Sequence, residues 1–303
     1  LLDPAVELSV AATAPQGAEF SILVGGVPSA ADLGASEKLT TLVIPWAGLP
    51  HPTAELLKSH PAVRVHNVHH NADATAEMAL ALALAAAKRL IPIDRGLRAG
   101  DWRPRYEDSS LISLAGKTAL VIGFGAVGRR IAEIARALKM NVWALNRSGE
   151  AANAGDIPVS SIDSLLERLP DTQCLFIAAP YTPETADLIN EKALRALPDG
   201  ALVVNVARGR IVNERALYDE LKSGRLRAGL DVWYNYPKKP EEYAHTPPSE
   251  FPFGELDNVV MMPHMGGDSL DIEHLRAVAL AELLNAAARG EEMPNRVDLQ
   301  RGY

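Results

Sequence analysis

The sequence has 303 residues, 48% of them hydrophobic, with 38 acidic against 30 basic side chains and a formal net charge of -8. That is apolar material for two medium domains with full cores, and the acidic balance leaves no footprint for a nucleic acid. A small molecule is the expected partner. The single cysteine, Cys174, excludes an internal disulfide and fits a reducing, cytoplasmic setting; in its apolar run it reads as a small buried hydrophobe.

The chain opens at Leu1 without methionine or a leader-like segment, and its first clear strands are 21–24, 42–44 and 63–67. An α/β half-domain usually opens with a strand sooner, so 6–10 is expected to form one unless the first strand lies upstream. The turn Ala47-Gly48-Leu49-Pro50 can offer its amides to a ligand or simply connect; the residues leave both open. His66, His69 and His70, with His51 and His60 nearby, sit on a strand and its edge. Alternate strand residues face opposite ways and no cysteine joins them, so no metal site is expected. After Asn71, the run 74–90 is nearly all alanine and leucine with Glu77 inside it. It reads as a buried helix rather than a membrane span, needing cover between domains or in a subunit interface.

A five-residue apolar run, Thr118 to Ile122, then leads into Gly123-Phe124-Gly125-Ala126-Val127-Gly128. Read physically, a buried parallel strand ends at Ile122 and Gly123 permits a tight turn. Gly125 lets a pyrophosphate approach the backbone, and Gly128 lets the next helix pack on the sheet. The pattern alone also fits a turn in some other α/β protein. Here Val127, Ile131, Ile134, Ala135 and Leu138 recur at helical spacing and 141–145 restarts a strand, which supports a dinucleotide site held by the helix N-terminus.

From Leu111 on, strands and helices alternate: strands at 172–177, 201–206, 228–232 and 258–262, helices at 183–197 and 213–222. This implies a parallel, doubly wound sheet. Arg208, Asp231 and His264 fall at or just past carboxyl ends of strands, the edge where open α/β sheets bind ligands. A lone arginine there is usually a solvated surface residue and a lone histidine usually structural; it is their convergence that points to a site.

The segments Gly123 to Gly128, Asn205-Val206-Ala207-Arg208-Gly209-Arg210-Ile211-Val212, Gly229-Leu230-Asp231-Val232-Trp233 and Glu255-Leu256-Asp257-Asn258-Val259-Val260-Met261-Met262-Pro263-His264 resemble the D-isomer-specific 2-hydroxyacid dehydrogenases, those like glyoxylate/hydroxypyruvate reductase included. The resemblance implies a Rossmann nucleotide domain, 94–268, inserted into a flavodoxin-like α/β substrate domain, 1–93 and 269–303. It implies an active site in the cleft between them, hinges near 91–98 and 266–268, and a homodimer built through the nucleotide domain and the 74–90 helix. Arg208 then binds the substrate carboxylate, His264 exchanges a proton with the 2-hydroxyl, and Asp231 holds the nicotinamide carboxamide. Ala47 and Gly48 match the substrate loop, and Asn71 an asparagine used by the related formate dehydrogenases. Further cofactor contacts fall on Ala179, Pro180, Val206, Ala207, His264 and Gly266.

Two departures carry information. Tyr236 stands where the family's catalytic glutamate is expected, in a proline-rich loop, 234–255, where Glu241, Glu242 or Glu250 can substitute. A neutral hydroxyl there supplies no charge to the imidazolium, so His264 should lose its proton at lower pH than in glutamate-bearing relatives. At the end of the second nucleotide-domain strand, Asn146-Arg147-Ser148 replaces the acidic residue of NAD-preferring folds. NADP(H) is therefore the expected cofactor with NAD(H) possible, the alternative being that Arg147 stacks on adenine. The implied activity is hydride transfer between NAD(P)H and a small 2-oxo or 2-hydroxy acid such as glyoxylate or hydroxypyruvate. In reduction Arg208 pairs with the carboxylate and protonated His264 donates to the carbonyl oxygen. A nucleotide-sensing binding protein, or oxidation of formate or phosphite, are the competing readings.

Overall fold

A computed structural model describes residues 1–107, 110–150 and 155–299. The chain begins with β1 (Ile22–Val24), α1 (Ala30–Leu33), β2 (Thr41–Ile44), α2 (His51–Leu57) and β3 (Arg64–Asn67). Three helices follow: α3 (Ala72–Ala87), α4 (Leu90–Arg98) and α5 (Arg103–Glu107). Then come β4 (Thr118–Ile122), α6 (Ala126–Ala137), β5 (Asn141–Asn146), β6 (Val159–Ser161), α7 (Leu165–Arg168), β7 (Cys174–Ile177) and α8 (Glu191–Ala196). The series closes with β8 (Leu202–Asn205), α9 (Glu214–Lys222), β9 (Arg227–Leu230), β10 (Val259–Met261) and α10 (Ile272–Ala288).

Two compact units result. The first joins Leu1–Asn71 to the stretch from Ser269 onward. Its three strands are parallel in the order β1-β2-β3. Every residue of β2 is buried, as a central strand covered on both faces requires. The C-terminal segment seals the other edge of β3: His66 bridges Arg296, and the Val297 amide donates to Val65 O at 2.8 Å. Residues 6–10 form no strand, with Leu8 and Val10 exposed; ahead of them Asn285 accepts from the Asp3 amide and donates to Leu1 O.

The second unit, Ala72–Asp268, is built on a seven-stranded parallel sheet in the order β10-β9-β8-β7-β4-β5-β6. The strand order reverses between β4 and β7, the switch point at which such sheets bind ligands. By packing this unit begins at Ala72, whereas the sequence places the boundary at 93/94. The reason is α3, whose small residues let it lie directly on the sheet. A Cβ on Gly229 of β9 would stand 2.7 Å from Leu82 Cβ, so glycine is what admits the helix. Arg227 then binds the carbonyls of Ala86 and Ala87 at the helix end. One side of α3 is thus covered within its own unit, while Glu77 and Ala81 on the other side are exposed and Met78 and Leu84 half-buried.

The expected helix 183–197 is shorter. Thr185 accepts from the Thr182 amide and donates to Pro180 O, a side-chain turn that competes with helix. Ile189 bridges Val212, and Asn190 caps α8 by accepting from the Ala193 amide.

Candidate active site

At the switch point the glycine motif does what its sequence implies. Gly123, with φ of +90°, presses against the end of β7: a Cβ would fall 2.5 Å from the Ala179 backbone. A Cβ on Gly128 would fall 1.8 Å from Gly123 O, so α6 packs on the turn only because position 128 has no side chain. Gly125, the N-cap of α6, faces open space with nothing within 4 Å. No side chain caps this helix and its first turn carries no acid. The amides and dipole of α6 are therefore left to an anion, and the open space at Gly125 leaves room for the pyrophosphate of a dinucleotide. Phe124 is buried under the Arg129 guanidinium at 4.9 Å. Ala126 and Val127 open the helix beside it.

Beyond β5, Asn146 shapes its own loop. Its Nδ2 donates to Glu150 O at 2.6 Å and its Oδ1 accepts from the Gly149 amide at 2.7 Å. Arg147 and Ser148 are exposed on that loop. At the end of β7, Ala179 is buried and Pro180 exposed.

The chemistry-bearing residues gather on the ends of β8, β9 and β10. Asn205, buried at the tip of β8, accepts from the Ala207 amide and donates to Arg208 O, both at 3.0 Å. This closes the turn through Val206 and Ala207 that sets out the exposed Arg208 side chain. Gly209 brings the turn against β9: a Cβ would stand 2.3 Å from Trp233 O. Asp231 is 1% exposed and accepts from two amides, Met265 to Oδ1 and Gly266 to Oδ2, both at 2.9 Å. Trp233 adds a second tie through Nε1 to Met262 O at 2.8 Å. Between these anchors His264 takes φ of +61°, a left-handed conformation uncommon for a non-glycine residue.

Tyr236 lies beside it, ring centroids 5.5 Å apart at an interplanar angle of 56°. Its hydroxyl accepts from the Trp233 amide at 3.0 Å, so the ring is positioned from the backbone. Solvent reaches the His264 ring, yet the protein packed around it disfavours the imidazolium, and the Arg208 guanidinium adds to this; together they hold its pKa below the ordinary histidine value against the pull of Asp231 and Asp268. Of the loop glutamates, Glu242 is committed within the loop, accepting from the Lys238 amide at 2.9 Å. Desolvation also raises the Tyr236 phenol.

Ala47, Gly48 and Asn71 belong to the first unit, at the carboxyl ends of β2 and β3; Ala47 O accepts from the buried Asn67 amide group at 2.6 Å. His66 is held by Pro294 O, and among the described residues no cluster of His, Cys, Asp and Glu has metal-binding geometry. Cys174 is wholly buried, its thiol pKa pushed far up. Asn205 and Trp233 also organise the site; the sequence signals them as members of the motif segments, at and just past strand ends, without assigning them a role.

Comparison with known proteins agrees with this geometry. Residues 80–266 match the model of the D-isomer specific 2-hydroxyacid dehydrogenase, NAD binding domain. A D-3-phosphoglycerate dehydrogenase of Mycobacterium leprae is 32% identical over 273 residues, covering 89% of this chain and 49% of that protein. A glyoxylate reductase of Pyrococcus horikoshii is 33% identical over 234 residues, covering 75% of this chain and 66% of that one. The chain thus spans about half the length of the phosphoglycerate dehydrogenases it matches. An NADPH-dependent glyoxylate/hydroxypyruvate reductase from Sinorhizobium meliloti shares the fold at a TM-score of 0.77 and 22% identity, over 99% of this chain and 90% of that one. The dinucleotide turn, the strand-end arginine, aspartate and histidine, and the family match over 80–266 lead to one conclusion: the chain belongs to the D-isomer-specific 2-hydroxyacid dehydrogenase family.

Proposed function

We propose that the chain is an NAD(P)H-dependent reductase of a small 2-oxo acid, glyoxylate, hydroxypyruvate or similar, and runs the reverse oxidation of the 2-hydroxy acid. The observation that carries this is the Asp231 carboxylate, which grips both amides after His264 and so presents the imidazole beside Arg208 at the ligand edge of the sheet. When bound, the dinucleotide supplies the hydride. Arg208 pairs with the substrate carboxylate through charge-assisted hydrogen bonds and fixes the 2-carbonyl. His264, protonated, donates to that carbonyl oxygen as charge develops on it, and in the reverse direction the neutral imidazole takes the proton back. Ala47, Gly48 and Asn71 are assigned to the substrate.

We assign a preference for NADP(H), with NAD(H) accepted. Asn146 removes the carboxylate that would repel a 2′-phosphate, and Arg147 and Ser148 supply donors at the same loop. Arg147→Ala should lower kcat/KM for NADPH far more than for NADH; an equal loss, or a wild-type enzyme faster with NADH, overturns the assignment. We also assign a homodimer built through the nucleotide unit and α3, a reading supported by α4 and α5, which have no buried residue, and by the exposed Leu90, Ile91, Leu97, Trp102 and Tyr106 on these helices and the turn between them.

The deciding experiment assays the purified chain with NADPH or NADH against glyoxylate, hydroxypyruvate and larger 2-oxo acids, and with NADP or NAD against formate and phosphite. Turnover of a 2-oxo acid supports the proposal. Oxidation of formate or phosphite alone, or nucleotide binding without any turnover, overturns it.

A further inference from the structure

The parallel sheet of the first unit has a carboxyl edge of its own, the edge at which such sheets bind ligands. There β2 runs into Pro45 and Trp46, directly ahead of Ala47 and Gly48. The six-membered ring of Trp46 lies on Gly26, just past the end of β1: a Cβ at position 26 would fall 1.8 Å from Cη2 and 2.0 Å from Cζ2. Gly26 is not left-handed, so what demands glycine there is the ring and not the backbone. Its carbonyl accepts from Thr53 Oγ1 of α2 at 2.8 Å, and Thr53 is 1% exposed. On the other side Asn67, at the tip of β3, holds Ala47 O. The indole is therefore seated in a notch whose walls are fixed by buried hydrogen bonds.

A side chain seated this firmly still leaves 39% of Trp46 exposed, and Val27, the residue after Gly26, is 62% exposed. Two apolar side chains thus stand open at the edge from which the substrate loop starts. A pre-positioned aromatic ring gives up little conformational freedom when an apolar group comes to rest on it. Large, rigid aromatic side chains are for that reason common anchors in recognition sites. With its benzo edge sunk in the notch, the indole presents surface to a ligand and does not plug the space in front of it.

We infer that Trp46 is a specificity-determining residue, selecting 2-oxo acids with an apolar side chain, aromatic ones best, over those with a methyl or hydroxymethyl group. This rests on the reductase function proposed above and on the assignment of Ala47 and Gly48 to the substrate. The carboxylate and the 2-carbonyl are common to every 2-oxo acid, so they do not discriminate among them. The side chain does. Taking it from water onto an apolar surface is favourable in proportion to the area covered, and in apolar sites even single methylenes shift kcat/KM by roughly tenfold or more. A hydroxymethyl group gains less, because its hydroxyl loses water without a stated partner.

The test measures kcat/KM for pyruvate, hydroxypyruvate, 4-methyl-2-oxopentanoate and phenylpyruvate, with NADPH and with NADH, in the wild type and in Trp46→Ala. The two apolar acids should exceed pyruvate and hydroxypyruvate at least tenfold in the wild type. Trp46→Ala should lower the ratio of phenylpyruvate to pyruvate at least tenfold, mainly through KM, and Trp46→Phe should recover part of it. A wild-type preference for pyruvate or hydroxypyruvate overturns the inference, as does a ratio unmoved in Trp46→Ala. A gain on the larger acids in that variant also overturns it, since the ring would then be a plug. If circular dichroism shows that Trp46→Ala fails to fold, the wild-type panel decides alone. Turnover of pyruvate without an apolar preference brings down this inference and leaves the reductase function standing; no turnover of any 2-oxo acid brings down both.

Discussion

Replacing Tyr236 by glutamate restores a charge where the family places one, and the structure sets how much that charge should matter. The two ring centroids are 5.5 Å apart. At that separation a carboxylate and an imidazolium attract by about 0.8 kcal/mol in water-like surroundings and about 3 kcal/mol at an effective dielectric near 20. One pH unit corresponds to about 1.4 kcal/mol, so the basic limb of reduction should move up by roughly 0.5 to 2 pH units. His264 is open to solvent, which favours the lower half of that range. The sign follows from the acid form being the donor: kcat/KM for reduction falls as pH rises through the His264 value, which Arg208 and the surrounding protein hold below the ordinary one. Oxidation needs the neutral ring and persists to correspondingly lower pH. Tyr236→Phe is the control, since it loses the hydroxyl that accepts from the Trp233 amide and adds no charge. It should cost about 0.5–1.5 kcal/mol of stability and leave the limb in place. The assay is kcat/KM for 2-oxo acid reduction from about pH 5 to 9 in all three proteins. An unmoved limb in the glutamate variant, or an equal shift in the phenylalanine variant, refutes the reasoning.

Asp231→Asn turns one acceptor of the Met265 and Gly266 amides into a donor facing a donor. Urea unfolding should show a loss of about 2–4 kcal/mol together with lower kcat/KM, and an unchanged midpoint would rule out the clamp. Gly128→Ala puts a Cβ 1.8 Å from Gly123 O. The strain should be about 1–3 kcal/mol, with dinucleotide affinity falling roughly tenfold or more; fluorescence titration showing wild-type affinity would contradict it. Trp102→Glu, on the exposed α4–α5 surface, should shift the protein from dimer to monomer in sedimentation at micromolar concentration, and a wild-type monomer would remove the dimer altogether.

Much of this was legible in the residues because it depends on local rules. The strand, three-glycine turn and helix around Gly123, Gly125 and Gly128 follow from backbone conformation and close packing, and the structure places them accordingly. Arg208, Asp231 and His264 could be assigned to one edge because they follow buried strands in a parallel sheet. What stayed hidden depends on tertiary competition. The 183–190 stretch carries helix-compatible residues, but Thr185 and Asn190 draw local hydrogen bonds that shorten the helix. The apolar run of α3 announced that it needed cover; that the chain's own sheet covers one side of it rests on Gly229, a packing partner far away in sequence. Residues 6–10 have strand-like composition yet form no strand pairing. The short strand β6 gives no signal, since Ser160 and Ser161 pair with β5 only once that edge exists.

The role of Asp231 shows why a motif names site residues more easily than it explains them. The resemblance assigns this carboxylate to the nicotinamide carboxamide. In the structure both oxygens already hold the loop after His264, and the histidine between the anchors is left-handed. That conformation disfavours a non-glycine residue by about 1–2 kcal/mol. Two hydrogen bonds to a buried carboxylate, each about 1.5–3 kcal/mol, exceed that strain and make the strained loop the stable one. Gly266 is then obligatory for a reason separate from its own conformation: a Cβ there would come within 2.6 Å of Asp231 Oδ2 and push the carboxylate off the amides. Each oxygen keeps a further lone pair for a ligand donor, so holding the loop and meeting a carboxamide are compatible tasks.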